Sequence, residues 1–213
     1  MRKLLEMNTA STVKQEVTWF RGFIQGKTRI TLAWIFAFIL GFSAKDYPIG
    51  PGIALCFLGA ALRFWASGYL RKDSRPAVGG PYSWVRNPLY LGTYLMALGT
   101  AWAVENFVLL IFATVIFAWI YHYIILDEEI KLQKIFKGPY FEYCKQVPRF
   151  FPSFISPFHA SRKALLKINP ETSAHRFSFE LAMNNKAYEA FATFLGLIAF
   201  VTAVAYLWKH VSL

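Results

Sequence analysis

The sequence predicts an all-α integral membrane protein of about five transmembrane helices. Three observations carry this. First, 56% of the 213 residues are hydrophobic and only 16% charged, with a mean hydropathy of +0.36, which is more apolar than an ordinary soluble domain needs. Second, several runs approach the roughly 20 apolar residues that span a bilayer core about 30 Å thick. Third, the Lys and Arg residues behind the net charge of +11 cluster on alternate connections. That pattern fits membrane topology and argues against a nucleic-acid groove.

Residues 1–27 read as a cytoplasmic segment in which Val13, Val17, Phe20 and Ile24 share one helical face, as in a helix lying on the membrane surface. The spans follow at about 28–44, 49–70, 88–104, 106–126 and 188–208. The second carries Arg63, and the third is short and Gly-rich. Only Glu105 and Asn106 separate the third span from the fourth, so these two should form a tight antiparallel hairpin. Residues 28–155 form the predicted membrane core, 156–187 a cytoplasmic linker, and 188–213 a C-terminal transmembrane helix. Basic residues in 1–29, 71–86 and 127–187 put the N-terminus and the long connections in the cytoplasm and the C-terminus outside. The same segments favour contact with anionic membrane lipids. No cleavable signal peptide is expected; the first span serves as the insertion signal.

Cys56 and Cys144 lie in different regions without metal spacing, so both read as packing residues, and no metal site is expected. The chemistry-bearing residues collect elsewhere. In "GGPYSWVRNPLYLG" (79–92), Asn87 is placed to cap a helix whose first residue is Pro88. The helix N-terminus beside Arg86 suits an anion, although a capped helix with a snorkelling arginine accounts for the motif by itself and is the reading this motif alone favours. The fourth span ends in "YHYIILDEEIK" (121–131), where Asp127, Glu128 and Glu129 reach the same boundary. Tyr121 and His122 lie two turns deeper, about 10 Å away. Acids are disfavoured at a helix C-terminus, so a merely solvated helix end is a weaker account of these three. Arg63, as an intramembrane charge, is a functional candidate or a snorkelling side chain. The segment "GPYFEYCKQVPRFFPSF" (138–154) should return as an amphipathic helix to about Cys144 and then an extended strip. There Lys145 and Arg149 could meet an anion or simply anchor the chain at the interface.

In this order around a helical hairpin, the three motifs resemble the isoprenylcysteine carboxyl methyltransferase family and its phospholipid methyltransferase relatives, over roughly residues 50–155. The resemblance implies a membrane enzyme that uses S-adenosylmethionine at the cytoplasmic boundary. It implies cofactor-binding roles for Tyr82, Arg86, Asn87, Pro88 and Tyr90 on one side and Glu128 and Glu129 on the other. Tyr140, Tyr143 and Pro148 match the family's closing segment, which covers the cofactor, so the resemblance implies cofactor-binding roles for Tyr140 and Tyr143 as well. This chain has Asn87 where many members have His, lacks a His before Gly-Pro-Tyr, and has Lys145 and Gln146 in place of a basic pair, with Arg149 as substitute.

The implied reaction is methyl transfer to a lipid or prenylated acceptor in the bilayer, most like carboxyl O-methylation. Arg149, His122 and Arg63 are the catalytic candidates. A carboxylate acceptor needs no general base, whereas an amine would lose a proton first, with His122, Tyr121 or an acid as candidates. Three alternatives stand beside it: a phospholipid amino head-group N-methyltransferase, an NADPH-dependent membrane lipid reductase, and a non-enzymatic lipid-binding protein.

Overall fold

The computed structural model describes residues 27–44, 46–71, 76–151, 162–171 and 176–211. The surface helix expected within 1–27 lies almost wholly outside them. As predicted, the described chain is helical, with no strand among the described residues. In chain order the elements are α1 (Lys27–Phe42), α2 (Gly50–Ser67), a 3-10 turn (Gly80–Ser83), α3 (Pro88–Ala103), α4 (Phe107–Phe136), α5 (Gly138–Gln146), α6 (Arg162–Ile168), α7 (Phe179–Asn184) and α8 (Tyr188–Val211).

All five predicted spans coincide with apolar helices. Three are long and apolar enough to cross a bilayer: α2, α4 and residues Tyr188–His210 of α8. The other two, α1 and α3, have 16 residues each. At about 1.5 Å per residue that is about 24 Å, short of a hydrocarbon core of about 30 Å, so length alone does not give five spans.

The pair α2 and α3 forms the centre. Gly52 faces Ala103, Cys56 faces Gly99, Gly59 faces Met96 and Arg63 faces Gly92, which is an antiparallel register sustained over the whole of both helices. A Cβ on Gly52, Gly59 or Gly99 would strike the backbone of the facing helix. Small residues at this spacing let two backbones approach closely, the packing mode that works where lipid removes the hydrophobic drive between helices. The Ile49 N–H adds a bond of 3.0 Å to the Ala103 carbonyl at the turn end.

The predicted hairpin of α3 with α4 also forms. Glu105 takes a left-handed φ of 53°, and Asn106 caps α4 by accepting from the Leu109 N–H at 3.0 Å. Tyr90 then meets Tyr121, and Tyr94 meets Phe117, across the pair. The more extensive partner of α3 is nonetheless α2, because the glycines lie on that face.

Helix α4 runs ten residues past the predicted span end at 126, without a break through the acids, and stops at Lys137 with φ 48°. Pro139, which has no N–H to donate, then opens α5. Helix α8 packs against α2 through Phe57, Phe64, Phe191 and Phe194. The predicted linker 156–187 holds α6 and α7 in its described parts. Asn185 donates to the carbonyls of Ser67 at 2.9 Å and Leu70 at 2.7 Å, so α7 closes the C-terminal end of α2.

Candidate active site

The turn and entrance to α3, the acidic part of α4, and α5 with the strip after it are joined by direct contacts, and the motif residues meet there. Gly80 has a φ of 53°, which suits glycine, and a Cβ there would collide with the Tyr69 ring. Pro81 starts the 3-10 turn and Tyr82 is buried within it. Tyr143 of α5 donates from its hydroxyl to the Tyr82 carbonyl at 2.7 Å. Burial holds the Tyr82, Tyr140 and Tyr143 hydroxyls well above the ordinary tyrosine range, with Glu128 raising Tyr82 further and Glu129 raising Tyr140 further. All three are neutral donors at neutral pH.

Arg86 N–H donates to the Pro148 carbonyl at 2.9 Å, so the strip after α5 runs alongside the entrance to α3. The Glu129 side chain, only 5% exposed, receives two guanidinium groups. Arg86 NH1 lies 2.9 Å from Oε1, and Arg149 approaches Oε2 through NH2 at 3.0 Å and Nε at 3.1 Å. The Arg86 contact is close in distance but off the line of a hydrogen bond, since Glu129 Oε1 has no hydrogen-bonded partner. It is a charge contact that leaves Oε1 able to accept.

Asn87 occupies the N-cap position of α3, but its side chain does not cap. Its Nδ2 donates instead to the Arg149 carbonyl at 2.9 Å. The reason is burial: the closing strip lies over Asn87, and an enclosed carbonyl needs a donor more than a helix start already relieved by Pro88. The expectation of a side-chain cap is corrected accordingly.

Among the described residues, three buried side-chain polar atoms have no hydrogen-bond partner: Tyr82 Oη, Arg86 Nε and Glu129 Oε1. All three belong to residues singled out from the sequence. A buried donor or acceptor left unpaired costs about 1 to 3 kcal/mol, so Tyr82 Oη and Arg86 Nε, beside the ion-paired Glu129, are groups that a polar ligand could satisfy. Glu128, half-buried beside them, has no ion-pair partner among the described residues. The donor set therefore fits S-adenosylmethionine. Carboxylate oxygens at Glu128 and Glu129 suit an ammonium, while the Tyr82 hydroxyl and Arg86 Nε suit acceptor oxygens.

An aromatic wall adjoins the cluster. Tyr121 stacks on Phe117 with centroids 3.7 Å apart, Tyr90 meets Tyr121 edge-on at 5.3 Å, and Phe150 packs against Tyr94 and Phe117. Ring faces of this kind can hold a cation.

Two candidates make other contacts. His122 is exposed on α4 with its ring against Tyr123. Arg63 donates to Thr93 Oγ1 and, at 3.5 Å, to the Leu89 carbonyl. Its stem passes over Gly92, so it braces α3 against α2. Sequence reasoning missed a second contact of Cys144. Besides packing against the core that holds Val78, Tyr140 and Tyr143, its sulfur accepts from Arg86 NH1 at 2.8 Å. Burial raises its thiol pKa.

Residues 51–138 match the phospholipid methyltransferase family. The resemblance read from the motifs holds. The chain is 28% identical over 156 residues to a nickel-cobalt-cadmium resistance protein of Alcaligenes xylosoxydans xylosoxydans, covering 72% of this chain and 64% of that one. It is 32% identical over 103 residues to a cobalt-zinc-cadmium resistance protein of Cupriavidus metallidurans, with 47% and 46% covered. It is 33% identical over 81 residues to the protein-S-isoprenylcysteine O-methyltransferase of Schizosaccharomyces pombe, with 38% and 34% covered. The matches thus span between about a third and under two thirds of the relatives' own lengths. No solved structure matches significantly. Among the described residues no group of three His, Cys, Asp or Glu side chains is placed to hold a metal ion.

Proposed function

We propose that this chain is an S-adenosylmethionine-dependent methyltransferase that modifies a carboxylate on a lipid-like acceptor held in the bilayer. The observation that carries this is that the three buried atoms without a hydrogen-bond partner belong to Tyr82, Arg86 and Glu129, the motif residues read from the sequence. The basic connections put this end of the helices at the cytoplasmic face, with the N-terminus on the same side and the C-terminus outside.

When bound, S-adenosylmethionine supplies an electrophilic methyl group on a positively charged sulfur that departs as a neutral thioether. The chain's tasks are binding, alignment and exclusion of water. Glu128 and Glu129 take the cationic amine, and Tyr82 and Arg86 donate to oxygens. Tyr90 and Tyr121 offer ring faces to positive charge. Arg149 stands 40% exposed at the rim, where the part of its guanidinium not engaged by Glu129 can meet an anionic acceptor. A carboxylate oxygen attacks without losing a proton, and Arg149 is the residue placed to orient it. The exposed position of His122 and its ring contact with Tyr123 are compatible with a reaction that needs no imidazole base.

The family's name favours one second reading, transfer to a phospholipid amine. That acceptor must first lose a proton, and Glu128 is the acid without a cation that would take it. Incubating purified protein with methyl-labelled cofactor and membrane extract separates the two. A labelled lipid from which mild base releases the label as methanol is the ester expected here, and a base-stable label is the amine. Absence of any labelled lipid removes the methyltransferase reading.

A further inference from the structure

The family match ends at residue 138, yet the site's closing wall depends on residues far beyond it. Val78, directly before the Gly-Gly-Pro-Tyr turn, is fully buried in one cluster with Tyr140, Tyr143, Val147 and, from α6, Leu165 and Ile168. Leu165 and Ile168, one turn apart, give α6 a single apolar face, and that face enters the same core as the two tyrosines. Just past the helix, Asn169 is 3% exposed, and its Nδ2 donates to the Pro76 carbonyl at 3.2 Å. Its Oδ1 accepts from the Glu171 N–H at 3.2 Å, which fixes the amide's orientation. Glu171 also approaches Arg71 at 3.7 Å. Residues 165–171 therefore hold the connection between α2 and α3 at Arg71, Pro76 and Val78.

This grip is set just ahead of the site. Four residues after Val78 comes Tyr82, which carries one of the unpartnered atoms and receives the Tyr143 hydroxyl, and four further comes Arg86. The intervening chain contains Gly79 and Gly80, so it has little stiffness of its own. A displacement at Pro76 and Val78 is passed to Tyr82 by the shared packing with Tyr143.

We infer that α6 and Asn169 form a third wall of the cofactor site, with Asn169 a positioning residue that acts through the Pro76 carbonyl on Tyr82. The inference rests on the proposed methyltransferase reading for its ligand, but not for its mechanics. Asn169→Asp keeps the acceptor oxygen for Glu171 and loses the donor to Pro76. Leu165→Ala tests the apolar half of the wall independently. In the full-length detergent-purified protein, both variants should weaken S-adenosylmethionine binding by about tenfold in calorimetry, the size of one buried hydrogen bond. Methyl transfer at saturating cofactor should stay within about twofold of wild type, a split between KM and kcat that general destabilisation does not produce. Hydrogen exchange at the amides of Tyr82, Trp84, Val85 and Arg86 should quicken. Unchanged affinity and unchanged exchange in folded Asn169→Asp overturn the inference. Quickened exchange in a protein whose wild type binds no S-adenosylmethionine supports the wall and defeats the proposed function instead. If Asn169→Asp does not fold, Leu165→Ala decides by the same two measurements.

Discussion

The carboxylate of Glu129 lies 2.9 Å from the guanidinium of Arg86, with their side chains only 5% and 12% exposed, and this pair joins the end of α4 to the entrance of α3. Breaking a buried ion pair from one side strands the other charge, at a cost of about 3 to 5 kcal/mol. Arg149, the second partner, is partly solvated and softens the loss. Glu129→Ala should therefore lower the denaturation midpoint clearly and abolish cofactor binding together. Calorimetry and a chemical melt read the two; binding unchanged in a folded variant removes Glu129 from the site.

Its neighbour predicts the opposite split. Glu128 is half-buried and has no ion-pair partner among the described residues, so its charge does little for the fold. Glu128→Gln should leave the melting temperature within about 1 °C while weakening cofactor binding by tenfold or more, the worth of a charge-assisted hydrogen bond. A fall in stability without a fall in affinity would show that Glu128 serves the fold instead.

The contrast between these adjacent acids shows where sequence reading stopped. Composition and charge alternation made the helical membrane fold legible, and "DEE" beside "RNP" marked both walls of the site. Which acid is paired depends on which direction each leaves α4 relative to Arg86, and that follows from tertiary packing. Asn87 illustrates the same limit: its place before Pro88 was readable, but its bond to the Arg149 carbonyl spans 62 residues of chain. Asn169 carried only a turn signal, the Asn-Pro step, with nothing to connect it to Pro76. Helix α3 was readable as short and Gly-rich, whereas the glycines' partner, α2, appeared only when the two helices were seen face to face.

That packing gives a third prediction. A Cβ on Gly99 meets the backbone of Cys56, which cannot yield as a flexible side chain could. Gly99→Ala should separate α2 from α3 and destabilise the protein by about 1 to 3 kcal/mol, as overpacking does, despite the better helix propensity of alanine. Gly196→Ala on α8, where nothing lies within 4 Å of the new Cβ, is the matched control and should be neutral or slightly stabilising. Equal stability of the two variants in a detergent melt would refute the close approach.

His122 and Arg149 supply a fourth. His122 is exposed and faces Tyr123, so His122→Ala should keep methyl transfer to a carboxylate acceptor within about twofold. Arg149→Ala, which removes the charge at the rim and the second contact to Glu129, should lower it about tenfold, near the worth of a charge-assisted hydrogen bond at a partly solvated position. Turnover with labelled cofactor measures both. A large loss in His122→Ala would point to a proton-accepting step and so to an amine.

The tyrosines give the pH dependence. Burial holds the Tyr143 hydroxyl well above its ordinary value, and Tyr82 and Tyr140 are raised for the same leading cause. Unfolded tyrosine titrates near pH 10. Below that pH the hydroxyls are protonated in both states and the full stability is present. As pH rises past about 10 the unfolded chain releases its protons first, so stability is lost towards the higher folded values. The melting temperature should be flat from about pH 7 to about pH 9 and then fall. Tyr143→Phe removes the bond to the Tyr82 carbonyl and should start lower at neutral pH, yet its alkaline decline should be shallower, because one of the three raised groups is gone. Parallel declines for wild type and variant across that range would mean that Tyr143 is not among the groups whose ionisation unfolds this wall.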